Sequence, residues 1–203
     1  SANGLAEPDY LGWEIKQFGV NDLGKPVAKS QITVMSPEPV RGVYRSEGPE
    51  AFVRRFGYAD KSGKPDRWNF GGIYKVGKTV HADTGLILKL TGFDLASGKI
   101  DDMAGAICLV TPQGEEAAAW PYTALIDHWN RKHARAAYVP SVFQGPPPQY
   151  SYGSLVSLYE NTDFLKFLAA IAAGHIVYDP ALKLEDASSA RPKLKRRCQF
   201  RIS

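Results

Sequence analysis

A short segment that begins at the ninth residue of the chain restricts the fold more than any other. Gly12 predicts a tight turn, and the alternation of polar and apolar residues after it predicts a β-strand. Because a strand sends successive side chains to opposite faces, Glu14 and Lys16 should share one face. The apolar residues that alternate with them, Trp13 and Ile15, should point into a core. The segment therefore predicts a strand that presents a carboxylate beside an ammonium group.

The same segment contains groups that can hydrolyse a phosphodiester bond. A reversal of the chain at the turn would bring the carboxylate of Asp9 back beside Glu14. Both carboxylates are suitable Mg²⁺ ligands, and the carbonyl oxygen of Ile15 can be a third. Lys16 can hold or deprotonate the attacking water. The alternative is an ordinary solvated strand face, because a Glu-x-Lys pair also arises by chance in a chain of this size.

A resemblance to a known family extends this interpretation over the whole chain. The Asp-x4-Glu-x-Lys spacing is similar to the PD-(D/E)xK nuclease signature, and the remaining sequence resembles the MvaI/BcnI restriction endonuclease family. The stretches that carry the resemblance are Ile32–Pro39, Phe52–Tyr58, Asn69–Gly72, His128–Pro140 and Lys193–Ile202. They are spread from one end of the sequence to the other.

The resemblance implies a fold, an activity and a set of catalytic residues. The implied fold is an α/β PD-(D/E)xK nuclease fold with a mixed central sheet flanked by helices, in one lobe or in two lobes around a DNA cleft. The implied activity is Mg²⁺-dependent, site-specific cleavage of double-stranded DNA by a monomer, with 5′-phosphate products. Asp9, Glu14 and Lys16 are the implied catalytic residues. Family members carry a further segment before the catalytic aspartate, so we expect this sequence to be a piece of a longer chain.

Composition is that of an ordinary globular protein, and we expect a single domain over residues 1–203. Hydrophobic residues make up 44% of the chain and charged residues 23%, which excludes bulk disorder. The sequence contains neither an apolar run of about 18 residues nor a signal-peptide pattern, which predicts a cytoplasmic protein without a membrane segment. Two cysteines, Cys108 and Cys198, form no disulfide framework or zinc set, and we expect both to be reduced and packed.

Positive charge is concentrated at the end of the sequence. The last thirteen residues contain six basic residues and no acidic residue: Arg191, Lys193, Lys195, Arg196, Arg197 and Arg201. The other 19 basic residues are outnumbered by 21 acidic ones, so this segment alone makes the chain basic. Alternation from Arg197 onward predicts a half-buried strand, with Cys198, Phe200 and Ile202 on its core face and a basic face opposite. We expect this face to contact DNA, and the alternative is an edge strand protected by charge.

A predicted helix over residues 123–135 is the second DNA-binding candidate. It should bury Leu125, Ile126 and Trp129 and leave His128, Arg131 and Arg135 outward. The basic residues that we expect to contact phosphates or base edges are Arg131, Lys132, His133 and Arg135. The alternative is a charged solvent face. His128 and His133 are five residues apart, which does not suit a helical zinc site.

The remaining sequence predicts interleaved strands and helices. Strands are predicted over residues 29–35, 86–90, 104–110, 117–120, 155–159 and 176–178. Pro49 and Gly57 should bracket one helix, and Thr162 should cap another that ends at Gly174. The stiff segment from Gly145 to Pro148 should connect lobes or subregions.

A phosphate-loop motif competes with the nuclease interpretation. Gly72–Thr79 matches G-x-x-x-x-G-K-[ST], but neither an apolar strand before it nor a helix after it is predicted. The segment is therefore predicted to be a strand between glycine turns. Two other functions stay open: a DNA-recognition module that binds without cutting, and a nicking enzyme of DNA repair, because MutH-like enzymes share the same chemistry.

Overall fold

The computed structural model describes residues 7–203, and in that part of the chain it contains sixteen strands and four helices. The helices are α1 (Val43–Ser46), α2 (Pro49–Phe56), α3 (Tyr122–His133) and α4 (Phe164–Ala172). The strands of the first half are β1 (Glu14–Gly19), β2 (Ile32–Met35), β3 (Tyr58–Ala59), β4 (Trp68–Gly71), β5 (Ile87–Thr91), β6 (Phe93–Asp94) and β7 (Lys99–Ile100). The strands of the second half are β8 (Ala106–Val110), β9 (Glu116–Pro121), β10 (Arg135–Gln144), β11 (Gln149–Tyr152), β12 (Ser157–Glu160), β13 (Ile176–Tyr178), β14 (Ala181–Glu185), β15 (Lys193–Lys195) and β16 (Phe200–Ile202).

The strands form several small sheets, with both parallel and antiparallel pairs. In one sheet β10 pairs in parallel with β1 along one edge, and antiparallel with β12 and β11 along the other. A second sheet has the order β13-β16-β2, a third β15-β14-β4-β3, and a fourth β5-β8-β9. The strands β6 and β7 form a separate pair. The predicted mixed α/β class is confirmed, with more sheet than helix, and none of the helices described is long and apolar enough to cross a membrane.

The chain enters β1 through the predicted turn. Tyr10 and Trp13 exchange backbone hydrogen bonds of 3.0 and 2.8 Å, and both residues between them have positive φ, Leu11 at 46° and Gly12 at 80°. This is the geometry of a two-residue hairpin turn, which reverses the chain most tightly. The turn brings Asp9 back along β1, where its Oδ2 accepts a hydrogen bond of 3.0 Å from the backbone N–H of Ile15.

The predicted orientation of β1 is wrong in one respect. Glu14 and Lys16 do share a face, but it is the inner one, and Glu14 is only 3% exposed. Ile15 is 38% exposed on the outer face instead of lying in the core. The physical reason is that α3 faces the inner side of β1 across a cleft and brings Lys132 to within 3.5 Å of Glu14. A local apolar pattern could not reveal this long-range contact.

Most buried residues belong to one aromatic-rich core. Phe200 is fully buried and lies with its ring centroid 5.3 Å from those of Trp120 and Tyr178, and 5.8 Å from that of Phe167. It therefore joins β16 to β9, β13 and α4. The predicted burial of both cysteines is also confirmed, and both are free thiols.

The predicted helices are present, and one cap differs. Helix α2 begins at Pro49 and is followed by Gly57, as the sequence indicates. Helix α4 is capped by Asp163, whose Oδ1 accepts a hydrogen bond of 2.9 Å from the N–H of Lys166, and not by Thr162. The Thr162 hydroxyl instead donates to the carbonyl of His133 at 2.5 Å, which ties the start of α4 to the end of α3.

We expect Asp163→Ala to destabilise the protein by about 1 kcal/mol, because the N–H of Lys166 would lose its only side-chain acceptor in the described structure. Urea unfolding followed by circular dichroism would measure the change. Asp127→Ala, an exposed position inside α3, is the matched control and should change stability by less than about 0.5 kcal/mol. Equal effects of the two substitutions would contradict the capping role.

Two other local predictions are corrected. Residues 72–79 form a loop with one isolated bridge, between Tyr74 and Tyr178, and not a strand. A strand precedes this loop, but no helix follows it, so the segment lacks the strand-loop-helix geometry of a phosphate loop. The Gly145–Pro148 segment is the turn of the β10-β11 hairpin and not a connector between subregions.

The basic terminal segment forms two short strands in two different sheets. Strand β15 pairs with β14 at a sheet edge, whereas β16 lies between β13 and β2. The predicted alternation is confirmed, because Cys198 is 3% exposed and Phe200 is fully buried while Arg197 is exposed. The buried side of this segment is thus part of the core.

Candidate active site

A cleft of about 470 Å³ opens along the inner face of β1. Its walls are β1, the segment that contains β2, and α3. The residues that line it are Glu14, Lys16, Thr33, Val34, Met35, Ser36, Pro37, Glu38, Val40, Trp120, Ala124, Leu125, His128, Lys132 and His133. Its charged lining consists of the carboxylates of Glu14 and Glu38 and the ammonium groups of Lys16 and Lys132.

Glu14 is held between two lysines. Its Oε1 accepts a hydrogen bond of 2.6 Å from Lys16 Nζ, and its Oε2 lies 3.5 Å from Lys132 Nζ. The Glu14 side chain is 4% exposed, against 17% for Lys16 and 21% for Lys132. A buried carboxylate needs nearby positive charge, and these two ammonium groups supply it. Oε2 is buried and has no hydrogen-bond partner among residues 7–203.

Asp9 lies on the edge of β1 and is not part of the cleft lining. Its carboxylate binds the N–H of Ile15, and β1 is the outermost strand of its sheet. In an extended strand the N–H and C=O of one residue point to the same edge, so the Ile15 carbonyl faces the edge that Asp9 occupies. The structure therefore brings Asp9 and Ile15 together at the edge, with Glu14 on the adjoining inner face.

The pKa values of both histidines of α3 are lowered, which favours the neutral imidazole. Burial lowers the pKa of His128, and the charges of Lys132 and Arg131 lower it further. Burial lowers the pKa of His133 to about 3, with a further contribution from the charge of Lys16. The positive charge that surrounds Glu14 therefore comes from lysine and not from histidine.

The residues near β1 provide some, but not all, of the ligands that a hard divalent cation such as Mg²⁺ needs. Among residues 7–203 no group of three or more His, Cys, Asp or Glu side chains is arranged to hold a metal ion. The oxygen atoms available near β1 are the unpartnered Oε2 of Glu14, the carboxylate of Asp9 and the carbonyl of Ile15. Oxygen donors suit Mg²⁺, which keeps several ligands from water or phosphate and needs only one or two protein carboxylates.

The predicted DNA-binding residues of α3 and β10 have different environments. Arg131 is exposed and has no ion pair among residues 7–203, whereas Arg135 lies 3.7 Å from Glu160. Lys132 points to Glu14 in the cleft. His133 is 4% exposed and lies in the inner wall of the cleft. The helix thus contributes to the cleft as well as to the surface.

Most of the basic residues of the terminal segment are paired with acidic residues. The pairs are Lys193 with Asp186 at 2.9 Å, Lys195 with Glu185 at 2.7 Å, Arg196 with Glu38 at 3.3 Å and Arg201 with Asp179 at 2.6 Å. Arg197 is exposed and has no ion pair in the described part of the chain. DNA would have to compete with these acids for four of the five predicted contacts. The net positive charge on the folded surface around this segment is therefore smaller than the sequence of the segment suggests.

The family of the chain follows from its sequence taken as a whole. The profile of the MvaI/BcnI restriction endonuclease family matches residues 1–203. The chain belongs to this family. No individually curated protein matches the sequence at a significant level.

Solved structures of one MvaI/BcnI-type enzyme share the fold. A structure of restriction endonuclease MvaI with its cognate DNA substrate matches with a TM-score of 0.63 and 17% identity, over 98% of this chain and 75% of that one. A structure of MvaI in the absence of DNA matches with a TM-score of 0.55 and 18% identity, over 99% of this chain and 77% of that one. At this identity the match shows a common fold.

In this MvaI/BcnI-family chain, α3 forms one wall of the cleft, which the sequence alone does not predict. Lys132 is predicted from the sequence to contact DNA and His128 to point outward, and the structure shows that both line the cleft with Glu14. One signal was present, because His128 and Lys132 are four residues apart and therefore share a helix face. The strand that meets this face could not be inferred, since Glu14 is more than a hundred positions away.

Proposed function

We propose that this chain is a Mg²⁺-dependent, site-specific endonuclease that hydrolyses phosphodiester bonds in double-stranded DNA and leaves 5′-phosphates. The observation that carries the proposal is the buried carboxylate of Glu14, which lies between two lysines in an open cleft. Membership of a restriction endonuclease family supports it, and so does a fold shared with an MvaI-DNA complex.

In this proposal Glu14, Asp9 and the carbonyl of Ile15 hold the divalent ion. When bound, the ion would act as a Lewis acid toward a phosphate oxygen and would make a bound water molecule more acidic. Glu14 is suited to this role because Oε2 is buried without a hydrogen bond, so a cation would satisfy it.

Lys16 acts on the phosphate and the attacking water. Its ammonium group is fixed by the hydrogen bond to Glu14, so it is oriented before DNA arrives. Preorganised positive charge stabilises the extra negative charge that builds up on the phosphate oxygens in the transition state. Water attacks the phosphorus, the bond to the 3′-oxygen breaks, and that oxygen leaves with a proton, which gives a 5′-phosphate and a 3′-hydroxyl.

DNA is proposed to contact the exposed cations near the cleft and at the end of the chain. Arg131 and Arg197 are exposed without acidic partners in the described residues, so they can bind phosphates without breaking an ion pair. Lys193, Lys195, Arg196, Arg135 and Arg201 would have to exchange an acidic partner for phosphate. Binding should weaken as salt rises, because each phosphate contact releases counterions.

A plasmid assay tests the proposal directly. We expect the purified chain to convert a supercoiled plasmid of mixed sequence into defined fragments with Mg²⁺ and to leave it intact with EDTA. Sequencing of the ends would give the site and the chemistry of the termini. Binding without any cutting would favour a recognition module, and an accumulation of nicked circles would favour a nicking enzyme. Cutting that persists in EDTA would refute the role of the metal ion.

A further inference from the structure

The two oxygen atoms of Glu14 are held in different ways. Oε1 accepts a short hydrogen bond from Lys16, a neighbour on the same strand. Oε2 is buried without a hydrogen bond, and Lys132 from α3 approaches it to 3.5 Å. The second contact is an ion pair without the hydrogen bond that would fix it, so it can be given up at a lower cost than the first.

The charges around Glu14 do not favour a cation in the DNA-free protein. The Glu14 carboxylate faces two ammonium groups, and burial favours the neutral form of both histidines of the cleft. The carboxylate of Asp9 is exposed at the strand edge, where water screens it. A divalent ion that binds Oε2 must therefore replace or repel the ammonium of Lys132, whose side chain is 21% exposed.

We propose that Lys132 is a positioning residue that holds Oε2 of Glu14 in the DNA-free protein and keeps the affinity for divalent cations low until DNA binds. The inference rests on the proposed function. A DNA phosphate in the cleft offers Lys132 another negative partner, so Oε2 becomes available as the substrate arrives. By linkage, any ligand that draws Lys132 away from Glu14 raises the affinity of the site for the ion.

Removal of the Lys132 charge tests this directly without DNA. Isothermal titration of Mn²⁺ into Lys132→Met should show an affinity at least about tenfold higher than in the wild type, because one positive charge near Oε2 is gone. Methionine keeps a long side chain and a high helix propensity, so α3 should persist. Lys132→Arg keeps the charge and should retain the low wild-type affinity.

The matched control is Lys89→Met, which removes one exposed positive charge on β5, in a different sheet. It should leave Mn²⁺ affinity unchanged, which would exclude an effect of net charge. Lys132→Gln provides a second neutral variant, and the temperature of unfolding with and without Mn²⁺ provides a second measurement. Unchanged or weaker Mn²⁺ binding in both neutral variants would overturn the proposal.

Failure of the Lys132 proposal and failure of the proposed endonuclease function can be told apart. Mn²⁺ binding is measured on the free protein, whereas cleavage is measured on plasmid DNA. A wild-type protein that never cuts DNA would refute the endonuclease assignment, even if Lys132→Met binds Mn²⁺ more tightly. A protein that cuts DNA but whose neutral variants bind Mn²⁺ like the wild type would refute only the role of Lys132.

Discussion

Glu14→Gln should lower the rate of DNA cleavage by at least about 10³-fold, because a neutral amide cannot replace a carboxylate that binds the metal ion. The amide is close in size to the carboxylate, so β1 should keep its pairing with β10. Lys16 and Lys132 lose their shared partner, but both are partly exposed in an open cleft and can be hydrated. DNA binding should therefore be retained or become tighter.

Plasmid cleavage and a gel-shift or anisotropy assay would measure the two effects separately. Asp9→Asn and Lys16→Ala should also abolish cutting and retain binding. Glu50→Gln is the control, since Glu50 is an exposed residue of α2 that pairs with Arg54 at 2.9 Å. Wild-type cleavage rates in the Glu14, Asp9 and Lys16 variants would show that the chemistry lies elsewhere.

Phe200→Ala should destabilise the protein by about 3–5 kcal/mol, the range for truncating a fully buried phenylalanine. Its ring contacts Trp120, Phe167 and Tyr178, so its loss leaves a cavity where three parts of the core meet. Strand β16 also pairs with β2, which forms one wall of the cleft. The substitution should thus weaken the cleft as well as the core.

Chemical unfolding with urea would give the change in the free energy of unfolding. Phe143→Ala is the matched control, because it removes the same atoms from a side chain that is 57% exposed on β10. We expect its effect to be below about 0.5 kcal/mol. A similar loss of stability in both variants would mean that Phe200 does not connect the core as described.

Local patterns in the sequence predicted much of the fold. The turn before β1, the helix that begins at Pro49 and the burial of Phe200 each depend on residues close in sequence. Such features follow from backbone preferences and from strand or helix periodicity. The alternation that places Glu14 and Lys16 on one face is of the same kind.

The parts that could not be predicted depend on contacts between distant segments. Nothing near Glu14 in the sequence shows that α3 lies opposite its face of β1. The sequence therefore predicts the wrong face of β1 as the inner one. The acidic partners of Lys195 and Arg201 likewise come from β14 and from Asp179, which only the sheet topology brings near. Runs of basic residues therefore indicated more free positive charge than the folded protein has.

The number of residues at the junction between α3 and β10 fixes the position of Lys132 relative to Glu14. Lys132 lies in the last turn of α3, and Ala136, only four positions later, is the residue of β10 paired with Glu14. One inserted residue would rotate the end of the helix by about 100° relative to the strand and carry the ammonium away from the carboxylate. The hairpin tip at residues 145–148 connects only neighbouring strands. Changes in chain length should therefore be tolerated at the hairpin tip and not at the junction.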